Sequence, residues 1–247
     1  GGSLYIVSSV FKNNKGGLAP NTLDSELLPP ERETFIIGNL IENNNNTDAP
    51  ATQATNLSLG NGVVIAGGNN NIIKNNVIAN HDLYGVIITA TADVNYWPAH
   101  GNRVESNLII NSKRADIASS GLSNLGNCFE NNYFNTSIPP GLQTLNKCDS
   151  SFYPLSADLS GMWSSLARVI QTSDGNYDQG DWRTFEAPTN QPNMPIMDEL
   201  ISHGYDKTSL PVTKIWSSVK PAVEVFSQYE YVLEEIELPQ EARNYLN

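Results

Sequence analysis

Residues 69–88 read NNNIIKNNVIANHDLYGVII, pairs of branched apolar residues separated by asparagines. An amphipathic helix would space its apolar positions three and four residues apart. This stretch follows another rhythm: an apolar residue, two residues, Asn, two apolar residues, any residue, Asn. Ile73, Asn76, Val77, Ile78 and Asn80 fill the frame. Val104, Asn107, Leu108, Ile109 and Asn111 fill it again, as do Ile36, Asn39, Leu40, Ile41 and Asn43. Ile6, Ser9, Val10, Phe11 and Asn13 fit with a serine at the first Asn slot. Phe129, Asn132, Tyr133 and Phe134 fit with Thr136 at the last.

The central polar residues stand at 9, 39, 76, 107 and 132, in steps of 30, 37, 31 and 25. Self-similarity at such periods marks solenoids and other repeat arrays. A second short strand follows in three of the units, at 62–65 (GVVI), 85–88 (GVII) and 115–118 (ADIA). The steps are too short and too poor in helix signal for a strand–helix–strand unit. They suit an all-β fold, a right-handed parallel β-helix in which each turn stacks on the last. Ile73 and Ile78 then point inward, between Ile36 and Ile41 on one side and Val104 and Ile109 on the other. Asn suits the turns, because it tolerates left-handed backbone and hydrogen-bonds its own surroundings. Stacked amides also form ladders, each donating to the next.

On this rhythm residues 1–138 resemble the right-handed parallel β-helix repeat proteins, a secreted family that includes pectate lyases, alginate epimerases and NosD-like accessory proteins. The resemblance implies the fold; the family hosts lyases, hydrolases, epimerases and non-enzymes, so fold alone selects no activity.

The 247 residues carry 14 Lys+Arg against 26 Asp+Glu, a net charge of −12. No basic stripe is present to neutralise phosphates, which speaks against nucleic acid as a partner. No apolar run approaches the ~20 residues that span a bilayer. The chain enters strand-like sequence at once, as a tag scar, a processed form or a fragment would. Cys128 opens the last unit and Cys148 closes the segment after it, so the pair is either two buried thiols or a bridge pinning a cap. A disulfide would agree with an oxidising compartment and an extracellular, periplasmic or cell-surface location.

The reading divides the chain into a capped β-helix at 1–150, an amphipathic helix at 151–172, an extended strap at 173–199 and an acidic helical tail at 200–247. Leu159, Met162, Trp163, Leu166 and Ile170 share one helical face, and 217–237 forms the tail's helix. Residues 173–247 are read as an arm for a protein partner or as a tail packed back on the coils.

The long insertions at 18–34, 45–61 and 89–101 are loops on a rigid scaffold, where binding residues concentrate. Tyr96 and Trp97 could stack on a sugar ring, with His100 beside them; Trp97 could instead anchor its loop. Register places Asp82 over Lys113 and His81 over Ser112, with Arg114 and Asp116 on the same turn. The resemblance implies a lyase or epimerase site there, acting on a uronate-type polysaccharide. Lys113 or Arg114 is then the base, Asp82 or Asp116 helps to hold Ca²⁺, and His81 borders the substrate. The plain alternative is a surface turn of paired charges. Hydrolysis is disfavoured, because no adjacent Asp pair exists and Asp82, Asp93 and Asp116 are scattered over different turns. No dedicated metal-ligand set and no cofactor motif is found. The leading expectation is a binding or structural scaffold that is a subunit or accessory component of a larger assembly.

Overall fold

The computed structural model describes residues 2, 4–47, 58–120 and 125–150. The amphipathic helix, the strap and the acidic tail expected between 151 and 247 lie outside the described residues, as does most of the 45–61 loop.

The chain lays down short strands in a fixed rotation. β1 (Tyr5–Val7), β3 (Phe35–Ile37), β6 (Ile72–Lys74), β11 (Arg103–Glu105) and β14 (Cys128–Glu130) form one five-stranded sheet. β2 (Val10–Lys12), β4 (Leu40–Glu42), β7 (Val77–Ala79) and β12 (Leu108–Ile110) form a second. β5 (Val63–Ala66), β8 (Tyr84–Thr89), β13 (Ala115–Ser119) and β15 (Ser137–Ile138) form a third. All pairings inside these sheets are parallel. Isolated bridges complete the rotation at both ends, since Leu18 and Asn21 pair with Val63 and Ala66, and Tyr133 pairs with Leu108. The third sheet thus reaches the first unit through the Leu18 and Asn21 bridges and the last through β15, where the sequence shows no clear strand. The exception to the parallel order is a hairpin of β9 (Thr91–Ala92) and β10 (Tyr96–Trp97).

Register follows the sequence frame. Ile36 pairs with Ile73, and Ile73 with Val104. Ile41 pairs with Ile78, and Ile78 with Ile109. These side chains are fully buried in one continuous core with Val63, Val86, Ile117 and Phe129. Each such Ile or Val contributes about 1.5–3 kcal/mol by leaving water. β-Branched residues dominate because parallel strands are covered and the pleated surface favours them. The opposite face of the third sheet carries a second apolar cluster, including Val64, Tyr84, Ile87 and Ala118.

The asparagines do two separate jobs. Asn13, Asn43, Asn80 and Asn111 hold left-handed backbone at the second turn of each unit (φ 49° to 61°). One residue before each central slot, Ser8, Gly38, Asn75, Ser106 and Asn131 do the same, and Gly38 is the one place where glycine fills that column. The central residues themselves build the ladder. Asn39 donates its backbone N–H and Nδ2 to Asn76 Oδ1 at 2.8 and 3.0 Å. Asn76 repeats this on Asn107, and Asn107 on Asn132. The same Nδ2 groups also donate to the carbonyls of Ile6, Ile36 and Ile73. The side-chain oxygens and nitrogens of Asn39, Asn76 and Asn107 are thereby all engaged, which is what makes an interior amide tolerable.

The far end is closed. Helix α1 (Leu142–Leu145) sets fully buried Leu142 against the core. Cys128 and Cys148 are joined by a disulfide, resolving the choice between two thiols and a bridge. Among the described residues no helix is long and apolar enough to cross a membrane.

Candidate functional site

The turn after β7 and the turn after β12 stack as the register requires. Lys113 N–H donates to His81 O at 2.9 Å and Arg114 N–H to Leu83 O at 2.9 Å. Lys113 Nζ reaches Asp82 Oδ1 at 2.5 Å, with the lysine three-quarters exposed and the aspartate half exposed. An exposed pair of this kind is worth about 0–1 kcal/mol. Arg114 turns instead to the third sheet, donating Nε to the Tyr84 hydroxyl and lying 5.6 Å from that ring's centre. Asp82 is fixed by its own N–H, which donates to Asn45 Oδ1.

His81 and Asp116 belong to the interior. His81 is 1% exposed, in the column above Asn14 and Asn44, with Asn44 Nδ2 lying 3.4 Å from its Nε2. Burial pulls its pKa down to about 4, against the smaller opposing pull of Asp82, so the ring is neutral at pH 7. Its Nδ1 and the Ser112 hydroxyl, on the neighbouring turn, are buried with no hydrogen-bond partner among the described residues. Asp116 accepts from Ser112 N–H on one oxygen, and from Asn135 N–H, Thr136 N–H and the Thr136 hydroxyl on the other. A carboxylate so filled with donors holds the last turns together and is a poor cation ligand. Both side chains are buried and turned to groups of the fold itself.

Tyr96 and Trp97 sit on the β9–β10 hairpin, away from that turn in register. Tyr96 is exposed, while Trp97 is half-buried and donates Nε1 to Asp24 Oδ1 at 3.3 Å. Asp24 also accepts from Asn95 N–H and Nδ2, and its own N–H donates to Asp93. Those Asn95 bonds lower the Asp24 pKa. Trp97 thus ties its loop to the 18–34 loop. His100 is engaged separately, with Nδ1 accepting from Leu125 N–H at 3.0 Å and its backbone N–H donating to Asn69. The structure brings Asp82 and Lys113 together, places Arg114 beside them on Tyr84, and leaves Tyr96, Trp97 and His100 in other contacts.

Among the described residues one grouping has three metal-type ligand atoms within reach of one another: Glu105, Cys128 and Cys148. Its two sulfurs are bonded to each other, so they are not the thiolates a metal requires.

A second ladder escaped sequence reasoning. Thr34 N–H donates to Asn71 Oδ1, Asn71 N–H to Asn102 Oδ1, and Asn102 N–H to Asn127 Oδ1. It ends on buried Glu31, which accepts from Asn71 Nδ2 and the Thr34 hydroxyl. Burial raises the Glu31 pKa, more than those two hydrogen bonds lower it. The signal was present, since Asn71, Asn102 and Asn127 each stand five residues before a rung of the first ladder.

No family model, curated protein or solved structure matches the chain.

Proposed function

We propose that the chain is a right-handed parallel β-helix scaffold of the pectate-lyase and NosD-like kind. On this reading it serves as a binding or structural subunit, or an accessory component, of a larger assembly outside the cytoplasm. The observation that carries the reading is the Asp116 carboxylate, filled by four donors from its own turns. With His81 buried as well, the interior side chains of this stacked turn bond chiefly to the fold itself. The rotation of strands through three parallel sheets supports the β-helix. The disulfide supports an oxidising location. Residues 173–247 supply the arm for a protein partner.

The test is the mass of the native particle purified from its source, by light scattering with identification of the subunits. Stoichiometric partners support the scaffold; a lone monomer overturns it.

One observation favours the alternative, a lyase or epimerase on a uronate polysaccharide: Asp82 and Lys113 stay exposed and in contact, with Arg114 one residue on. Lys113 or Arg114 then serves as the base, Asp82 faces the substrate's charge with or without Ca²⁺, and Tyr96 offers an exposed ring to a sugar. Uronate polymers with calcium, assayed against a Lys113→Ala, Arg114→Ala variant, decide it: activity lost with both cations supports the enzyme.

A further inference from the structure

The strands of the second sheet are buried on both faces. Ile41, Ile78 and Ile109, at the centres of β4, β7 and β12, point into the core. Side chains alternate along a strand, so Leu40, Val77 and Leu108 before them, and Ala79 and Ile110 after, point outward. These five outward side chains are at most 2% exposed. Register joins them into one apolar face, with Leu40 and Leu108 flanking Val77 and Ile110 beside Ala79. Parallel strands that are apolar on both faces carry a packed layer on each. Among the described residues no strand or helix forms the outer layer. α1 packs against β14 and β13 at the end of the stack, and the β9–β10 hairpin leaves from the third sheet.

The chain beyond residue 150 has the chemistry and the reach to form it. Leu159, Met162, Trp163, Leu166 and Ile170 share one helical face. A helix over Leu159–Ile170 is about 16 Å long, enough to cross the roughly 10 Å from β4 to β12. Cys148 is tied to Cys128 in β14, so the described chain ends beside the first sheet, which adjoins the second in every unit. From there residues 151–158 can extend about 26 Å. The 45–61 loop is the rival cover, since it leaves from β4, but its large apolar residues are Leu57 and Leu59 alone.

We propose that residues 159–170 form a helix whose apolar face lies on the outward face of the second sheet, over Leu40, Val77 and Leu108. This goes beyond the scaffold reading and is independent of it. The helix is a second layer of the chain's own fold, and residues 173–247 are then the part left for a partner.

The test uses the full chain carrying Ala79→Cys, a small change on the covered face, and a maleimide reagent. Adding Met162→Asp and Leu166→Asp should speed the labelling of that thiol at least tenfold. The thiol of Val86→Cys, inside the core, should label no faster. Equal labelling of Ala79→Cys with and without the two aspartates overturns the proposal, because another segment, or none, then covers the face. Where the aspartates unfold the chain and both thiols react, oxidative pairing in chains without them decides. Ala79→Cys should form a disulfide with Met162→Cys or Leu166→Cys at least fivefold faster than with Ser164→Cys, on the opposite side of the helix. Peptide mapping without reductant reads the products; no pairing, or pairing at equal rates, overturns the proposal. Native-particle mass bears on the scaffold reading alone, so the two fail separately.

Discussion

Asn132 ends its ladder on Gln143: its N–H and its Nδ2 both donate to Gln143 Oε1, each at 2.9 Å. Gln143 Nε2 returns a bond to Asn132 O at 3.3 Å. The column thus closes on a residue of α1, with a side chain one methylene longer than asparagine. A helix cannot set its backbone where the next strand would lie, and the longer side chain spans the difference. The cap therefore supplies the hydrogen-bond acceptor of a further layer as well as the apolar cover.

Gln143→Ala should orphan two buried donors and cost about 1–3 kcal/mol. Asn76→Ala should cost more, because it strands Asn39 N–H and Nδ2 and removes the donor to Ile36 O. Urea unfolding midpoints with an unchanged slope would measure both. Equal and negligible losses would mean that the ladder is geometry without energetic weight.

The ladder and the strand register were legible in the sequence because both repeat. A period shared by Ile36, Ile73 and Val104 and by Asn39, Asn76 and Asn107 survives insertions of any length between units. Features that occur once left no such trace. The Asp24–Asn95 contact joins residues 71 apart in two loops that the repeat treats as interruptions. Thr34 holds the slot that Asn71, Asn102 and Asn127 fill, and the Glu31 carboxylate accepts from Asn71 Nδ2 where the other rungs use a backbone carbonyl, so the frame skips both. A lone His in a loop reads as a substrate neighbour or a surface residue, yet His81 occupies the slot of Asn44 one layer on, and the slot decides its burial. Asp116 was assigned to chemistry because a lone carboxylate carries no mark of how many N–H groups will converge on it.

The Asp24 clamp yields a local prediction. Asp24→Ala removes the acceptor for Asn95 and Trp97, so amide exchange across residues 91–97 should accelerate while the urea unfolding midpoint stays where it is. The lowered Asp24 pKa gives the same result by acid. The clamp is present above the carboxyl's ordinary pKa, and it is lost as pH falls through the folded value. Exchange at 91–97 that ignores both changes would show that other contacts hold the hairpin.

Reduction tests the cap. The disulfide closes a segment of 20 residues in sequence separation, a loop for which chain entropy gives about 3 kcal/mol. The Cys128→Ser, Cys148→Ser chain should lose about that much stability, with exchange rising first in α1 and β14. Thermal unfolding with and without reductant measures it; a wild-type midpoint insensitive to reduction would assign the cap's stability to Leu142 packing alone.

His81 should make the fold acid-labile well above the range of ordinary carboxylates. Buried and neutral, the ring has a pKa of about 4, against 6.5 when exposed. The unfolded chain therefore binds a proton between those values that the folded chain refuses. Stability is unaffected above pH 6.5 and falls as pH drops from 6.5 toward 4, by up to about 3 kcal/mol. His81→Asn puts into the column the amide that Asn14 and Asn44 already carry, and an amide does not titrate. The variant should match the wild type or exceed it at pH 7, and should lose the part of the stability slope between pH 6.5 and 4 that the imidazole contributes. Chemical denaturation at pH 7.5, 5.5 and 4.5 separates the cases. Parallel pH profiles for the two chains would show that His81 takes up its proton in the folded state, and that water reaches the Asn14–Asn44–His81 column.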